Sequence, residues 1–148
     1  MQSLNFDDGL KSFAINGDES RVIRFNPADP GLIKRYHEAL QLVQNAQSGV
    51  NKEVPLHADG MPKGGTEESV KIVEEINGVI RDALKLMFNA DVYDAVFAGQ
   101  SPLAATAGGK YLFEAFMESL LPIFEKEIKE YQKNSKKRMD KYLGGYGK

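Results

Sequence analysis

The chain has 148 residues, with 42% hydrophobic and 27% charged side chains and a net charge of −2. This length suits a single domain with its own core, and the composition excludes wholesale disorder. The sequence contains no cysteine, which excludes disulfides, thiol nucleophiles and thiolate metal sites. It shows no signal peptide and no membrane-spanning apolar run, so we expect a cytoplasmic protein without a membrane partner.

The N-terminal part predicts a β-hairpin after a loose lead-in of residues 1–9. Apolar residues alternate in 11–15 and in 21–25, and the turn-rich stretch 16–20, which begins with Asn-Gly, separates these two runs. Two strands leave exposed edges, and an unpaired edge is a template for self-association. The candidate residues for a self-association edge are Phe13, Ile15, Ile23 and Phe25.

Two helices and a long loop are predicted next. Asp29 is a good N-cap for a helix that begins at Pro30, places Ile33, Tyr36, Leu40 and Val43 on its buried face, and fades at about 46–49. Residues 48–65 hold four Gly and two Pro without a period, which predicts a flexible loop. Thr66 is the expected N-cap of the second helix.

The second helix should carry an apolar stripe as far as Met87. Gly78 within it suggests a close helix crossing. Asp91 can cap a short helix that ends at Phe97, and Gly108-Gly109 should break the chain before the last helix.

The longest predicted helix runs from Tyr111 to about Tyr142 and organises the fold. Its apolar residues follow steps of three and four, and we expect Phe116 and Leu120 to pack against Ile76, Ile80 and Leu40. Pro122 should kink it. The helix would exceed about 40 Å, longer than the domain, so residues 133–148 are expected to project as a basic arm. The predicted fold class is α+β, mostly α, with an N-terminal hairpin followed by a helical bundle.

Candidate catalytic and metal-binding groups are few. His37 and His57 lack a second ligand at suitable spacing, and Lys63-Gly64-Gly65 lacks the spacing of a phosphate-binding loop. The acidic pairs are adjacent in sequence, so their side chains point to different sides of a helix. We therefore expect no enzyme, no cofactor and no metal.

Charge is concentrated at the C-terminus. From Lys126 onward there are eight Lys or Arg residues against three acids, which leaves the preceding body acidic. A solvated helix face is the simplest interpretation, and a basic tail can also attract nucleic acid, an acidic partner or the acidic body of a neighbouring copy. Nucleic acid is disfavoured because Glu127, Glu130 and Asp140 interrupt the basic run and the pI is about 5.7. The candidate partner-binding residues are Lys133, Lys136, Lys137, Arg138 and Lys141.

The order of elements carries a resemblance. A hairpin with "ING" and "IRFNPADP" leads into an amphipathic helix, and "VYDAVFAG" precedes a final helix that begins "GGKYLFEAFMESLLPIFEKE". Over residues 10–132 this resembles the small tail assembly chaperones of long-tailed phages that infect Gram-positive bacteria.

The resemblance implies a non-enzymatic protein of the infected host cell, absent from the mature virion. Such a chaperone binds the tape measure protein, promotes polymerisation of the tail tube protein around it, and is expected to form a homo-oligomer. A phage or mobile-element regulator or inhibitor stays open as an alternative. It would use the basic arm on a host protein or on nucleic acid.

Overall fold

The computed structural model describes residues 1–53 and 66–146; within these ranges it leaves out the side chains of 50–53, 66, 68, 128, 131, 132, 135 and 138–146. A two-stranded antiparallel hairpin precedes four helices: β1 (Lys11–Ile15), β2 (Asp18–Phe25), α1 (Pro30–Glu53), α2 (Thr66–Phe88), α3 (Tyr93–Phe97) and α4 (Leu112–Tyr146). Among the described residues the helices span 87 residues and the strands 13. The predicted class, α+β and mostly α with a long last helix, is confirmed.

The hairpin turn is tighter than its sequence indicates. Asn16 and Gly17 form it alone, with φ values of 53° and 77°, a left-handed conformation that Asn and Gly tolerate best. β2 therefore begins at Asp18, inside the stretch predicted as a spacer. The pairing register is irregular between Ala14 and Ile15. The Asp18 carboxylate accepts hydrogen bonds from the backbone N–H and Oγ of Ser20, which lower its pKa.

Helix α1 begins as predicted and ends later. Asp29 Oδ1 accepts the Gly31 N–H at 2.9 Å, as expected of a residue just before the helix. The helix continues to Glu53, so the predicted end at 46–49 and the loop assignment of 48–53 are wrong. A single Gly49 costs about 1 kcal/mol relative to Ala, which a long helix tolerates. The rest of the predicted loop, including His57 and the 63–65 segment, lies outside the described residues.

The core gathers the buried faces of all these elements, and α1 packs closely on α2. On α1 the fully buried residues are Leu32, Tyr36, Ala39 and Val43, while Ile33 and Leu40 are half-buried rather than central. The Tyr36 hydroxyl donates to the Met117 carbonyl oxygen at 3.0 Å, which joins α1 to α4. Gly78 is exposed with open space where a Cβ would lie, so the predicted close crossing at this glycine is wrong.

The first half of α4 enters the core through four side chains at helical spacing, namely Phe113, Met117, Leu120 and Phe124. Leu120 is buried as predicted, whereas Phe116 is only half-buried, with its ring 6.1 Å from that of Phe88 and 6.4 Å from that of Phe97. The helix is continuous through Pro122. Whether Pro122 bends it stays a prediction.

Candidate functional site

An apolar groove lies between the hairpin and α4, with α3 forming part of its wall. Its volume is about 320 Å³, at the lower end of the range of about 300–1,000 Å³ that is usual for binding pockets. Apolar side chains dominate the lining: Phe13, Ala14, Ile15, Asn16, Ile23, Phe25, Val96, Phe97, Leu112, Ala115, Phe116, Ser119, Leu120 and Ile123. Such a surface binds apolar side chains rather than polar substrates.

The groove forms because the apolar face of α4 is wider than the stripe of residues that the core buries. Next to the buried stripe, Leu112, Phe116, Ser119 and Ile123 form a second row at steps of four, three and four, and Ala115 lies beside it. All but Ser119 are half-buried, and Ser119 is exposed. The width of the apolar stripe can be seen in the sequence. The stripe alone does not show which of its rows is buried by the rest of the chain and which stays accessible.

The two edges of the hairpin differ. β2 lies against α3, and Arg21 of β2 donates from Nε to the Ala95 carbonyl at 2.8 Å and from a terminal nitrogen to the Val96 carbonyl at 2.7 Å. Among the described residues no strand pairs with the other edge of β1. Strand edges present unpaired N–H and C=O groups, so β1 offers backbone hydrogen bonds next to the groove.

Helix α3 is also held from α2. Arg81 lies 2.6 Å from the Asp91 carboxylate, and its guanidinium carbon lies 5.1 Å from the centre of the Tyr93 ring. The hydrogen bond from Arg81 keeps the pKa of Asp91 below its ordinary value. Arg21 and Arg81 together fix this short helix, so one wall of the groove is preformed.

An ion pair also joins the hairpin to α4. Lys11 at the start of β1 lies 2.6 Å from the Glu127 carboxylate of α4, and this hydrogen bond is the main reason why the pKa of Lys11 is raised. The two elements that form the groove are therefore also connected through exposed charged side chains.

The four hairpin residues predicted as a self-association edge all line the groove but differ in exposure. Ile23 and Phe25 are 3% and 4% exposed and belong to the core. Phe13 and Ile15 are half-buried, and the Phe13 ring stacks on Phe25 with centroids 4.5 Å apart. Phe13 and Ile15 therefore offer a partner more surface than Ile23 and Phe25 do.

The predicted partner-binding lysines lie on the distal part of α4. Lys133, Lys136 and Lys137 are exposed, and the side chains of Arg138 and Lys141 are outside the described set. No side chain that the structure describes beyond Phe124 is buried. Residues 125–146 correspond to about 33 Å of helix, a length available to a partner.

The described part of the chain contains no group of three or more His, Cys, Asp or Glu placed to hold a metal ion. In the same residues no helix is long and apolar enough to cross a bilayer. No protein-family model, curated protein or solved structure matches this chain. The groove, the edge of β1 and the distal half of α4 are the features of the described residues that bear on function.

Proposed function

We propose that this protein is a non-enzymatic tail assembly chaperone that binds the tape measure protein and promotes assembly of the tail tube. The observation that carries the proposal is the preformed apolar groove beside an edge of β1 that no strand pairs with among the described residues, which suits contacts between copies arranged along one client. Apolar lining and free backbone groups are what a protein partner uses, because main-chain bonds give affinity and pockets give side-chain specificity.

The distal half of α4 supplies the second contact surface. A tape measure protein is far longer than this chain, so it must be covered by many copies. Weak contacts repeated along one client multiply through effective concentration. Exposed lysines on a helix of about 33 Å suit acidic stretches of such a client. In this proposal the groove serves contacts between copies, and Lys133, Lys136 and Lys137 serve the client.

Co-expression with the tape measure protein from the same genome tests the proposal. We expect the client to be soluble with this chain and to co-purify with it. Neutralising Lys133, Lys136 and Lys137 to Gln should abolish co-purification. Neutralising three other exposed lysines, Lys34, Lys71 and Lys85, changes the net charge equally and should preserve it.

A client that neither binds nor gains solubility with the parent chain would refute the chaperone proposal. Equal loss with both lysine triplets would show that only net charge matters. The same exposed lysines also support the regulator alternative, in which the chain acts on a host protein or nucleic acid in the infected cell. DNA binding with a steep salt dependence, lost with the distal triplet, would favour that alternative.

A further inference from the structure

We propose that the groove of one copy receives residues 1–6 of a second copy, as an extended segment that pairs with the free edge of β1. In this arrangement Leu4 and Phe6 of the donor copy enter the groove of the acceptor copy and pack against α4. This contact does not depend on what the client is, since both parts belong to this chain.

The donor segment carries apolar side chains that its own fold leaves in water. Leu4 is 91% exposed and Phe6 is 79% exposed, and residues 1–10 form no regular secondary structure. The two residues are separated by Asn5, which gives the two-residue spacing of one face of a strand. The segment therefore has both the apolar content and the periodicity of an added strand.

The acceptor has the matching features. The edge of β1 next to the groove has no partner strand among residues 1–53 and 66–146. The groove volume of about 320 Å³ is about twice the roughly 150 Å³ of an apolar cavity that takes up a benzene molecule. It therefore has room for a phenyl ring and a leucine side chain together. The walls they would meet, Phe13, Ile15, Phe116 and Ile123, are half-buried, and their coverage is incomplete.

In this structure the segment before β1 does not fill the groove of its own copy. Asn26 follows β2, and its side-chain nitrogen lies 3.5 Å from the carbonyl oxygen of Asp8. Gly9 has a φ of +73°, and a Cβ there would come within 2.5 Å of the same nitrogen. Residues 8 and 9 therefore continue the hairpin beside Asn26, while Leu4 and Phe6 are exposed and do not line the groove. The groove of each copy is thus open to the segment of another.

Each copy then has one donor segment and one acceptor groove on different parts of its surface. A contact of this kind is heterologous, so it produces either a closed ring or an open chain of subunits. An open chain of copies has no fixed length, which is what coating a long client requires.

A mixing experiment tests this inference on the whole chain. The first variant lacks residues 2–6 and keeps the groove. The second, Ser119→Arg, keeps the donor segment and places a charge at an exposed position in the groove wall. Ser48→Arg, at an exposed position of α1 outside the groove, is its matched control, and the pair Ser3→Ala and Asn5→Ala is the control for the donor segment.

In sedimentation velocity we expect the parent chain and both controls to associate with rising concentration. Each of the two test variants should stay monomeric alone at several hundred micromolar. An equimolar mixture of the two should form a one-to-one dimer, because one supplies the segment and the other the groove. Association of the deletion variant equal to that of the parent would overturn the inference, as would a mixture that stays monomeric or a parent that never associates.

A peptide of residues 1–10 provides the second measurement. It should bind the deletion variant and slow amide hydrogen exchange in β1, and replacing its Leu4 and Phe6 by Ser should weaken binding at least tenfold. Equal binding of both peptides, or unchanged exchange in β1, would contradict the assignment of the groove. Neither experiment contains the client. A negative result in them would therefore refute this inference without refuting the proposed function, and a negative co-expression result would refute the proposed function without refuting this inference.

Discussion

The two halves of α4 form one continuous helix but have opposite surroundings. From Leu112 to Phe124 the helix places four side chains in the core and a second row along the groove. From residue 125 onward no described side chain is buried, and Glu127 makes the ion pair to Lys11 near the start of this part. Regular hydrogen bonding alone thus does not tell how strongly a helical segment is held, because most helix stability in proteins comes from packing.

The largest difference is expected between two substitutions, one that truncates a core side chain and one that truncates a side chain in the distal half of α4. Phe124 is 4% exposed, and its ring centre lies 5.6 Å from that of Tyr36 and 6.4 Å from that of Phe25. Phe124→Ala should lower the free energy of unfolding by about 3–5 kcal/mol, through lost burial and a cavity. Lys133→Ala is the distal control and should change it by less than about 0.5 kcal/mol. Chemical denaturation measures the free energy of unfolding of both variants. Equal losses would contradict the distinction between a packed half and a free half of α4.

The groove row should give an intermediate loss. Phe116 contacts Phe88 and Phe97 on one side and faces the groove on the other, so its burial is incomplete. Phe116→Ala should therefore lower the free energy of unfolding by about 2 kcal/mol, less than a fully buried Phe. A loss as large as that of Phe124→Ala would mean that the groove is closed in solution.

A smaller effect is expected where α1 bonds to the packed half of α4. Tyr36→Phe removes the hydrogen bond to the Met117 carbonyl and should cost about 1 kcal/mol. Burial raises the pKa of Tyr36 above its ordinary value of about 10. Its stabilising contribution is therefore complete below pH about 10, the value in the unfolded chain, and is lost as the pH rises through the folded-state value.

The parent should accordingly lose more stability than Tyr36→Phe between neutral pH and the strongly alkaline range. Denaturation curves of both proteins at several pH values provide the comparison. Parallel pH profiles would show that the Tyr36 hydroxyl is not protected from ionisation.

The smallest effect is expected from removing most of the distal half. A chain that ends at Lys133 keeps every residue of α4 that the structure describes as buried, so its free energy of unfolding should fall by less than about 1 kcal/mol. Thermal unfolding at low protein concentration measures this. A drop in the melting temperature of about 10 °C or more would show that the removed segment is packed.

Local patterns predicted much of the fold. The alternation around Asn16-Gly17 predicted the hairpin, Asp29 and Pro30 marked the start of α1, and steps of three and four predicted the long helix. The end of α1 was predicted too early because Gly49 weakens a helix without ending it. The burial of Leu32 and Ala39 in place of Ile33 and Leu40 depends on how α1 is rotated against α2, which periodicity does not determine.

The candidate site was less accessible to sequence reasoning. Strand alternation placed Phe13, Ile15, Ile23 and Phe25 on one face, and all four line the groove, but only tertiary packing buries Ile23 and Phe25 and leaves Phe13 and Ile15 half-buried. Arg21 is an ordinary basic residue in the sequence, and its hydrogen bonds to the backbone of α3 depend on tertiary packing that local patterns do not specify. The exposure of Leu4 and Phe6 depends on where the chain lies before β1, which the sequence pattern of this segment does not indicate.

Native-state amide hydrogen exchange along α4 tests the central contrast most directly, because it reports the free energy of opening segment by segment. At low protein concentration, amides between Met117 and Phe124 should exchange with protection close to that of global unfolding, while those beyond Lys133 should exchange at least a hundredfold faster. Uniform protection from Met117 to the end of the helix would contradict the division of α4 into a packed half and a free half.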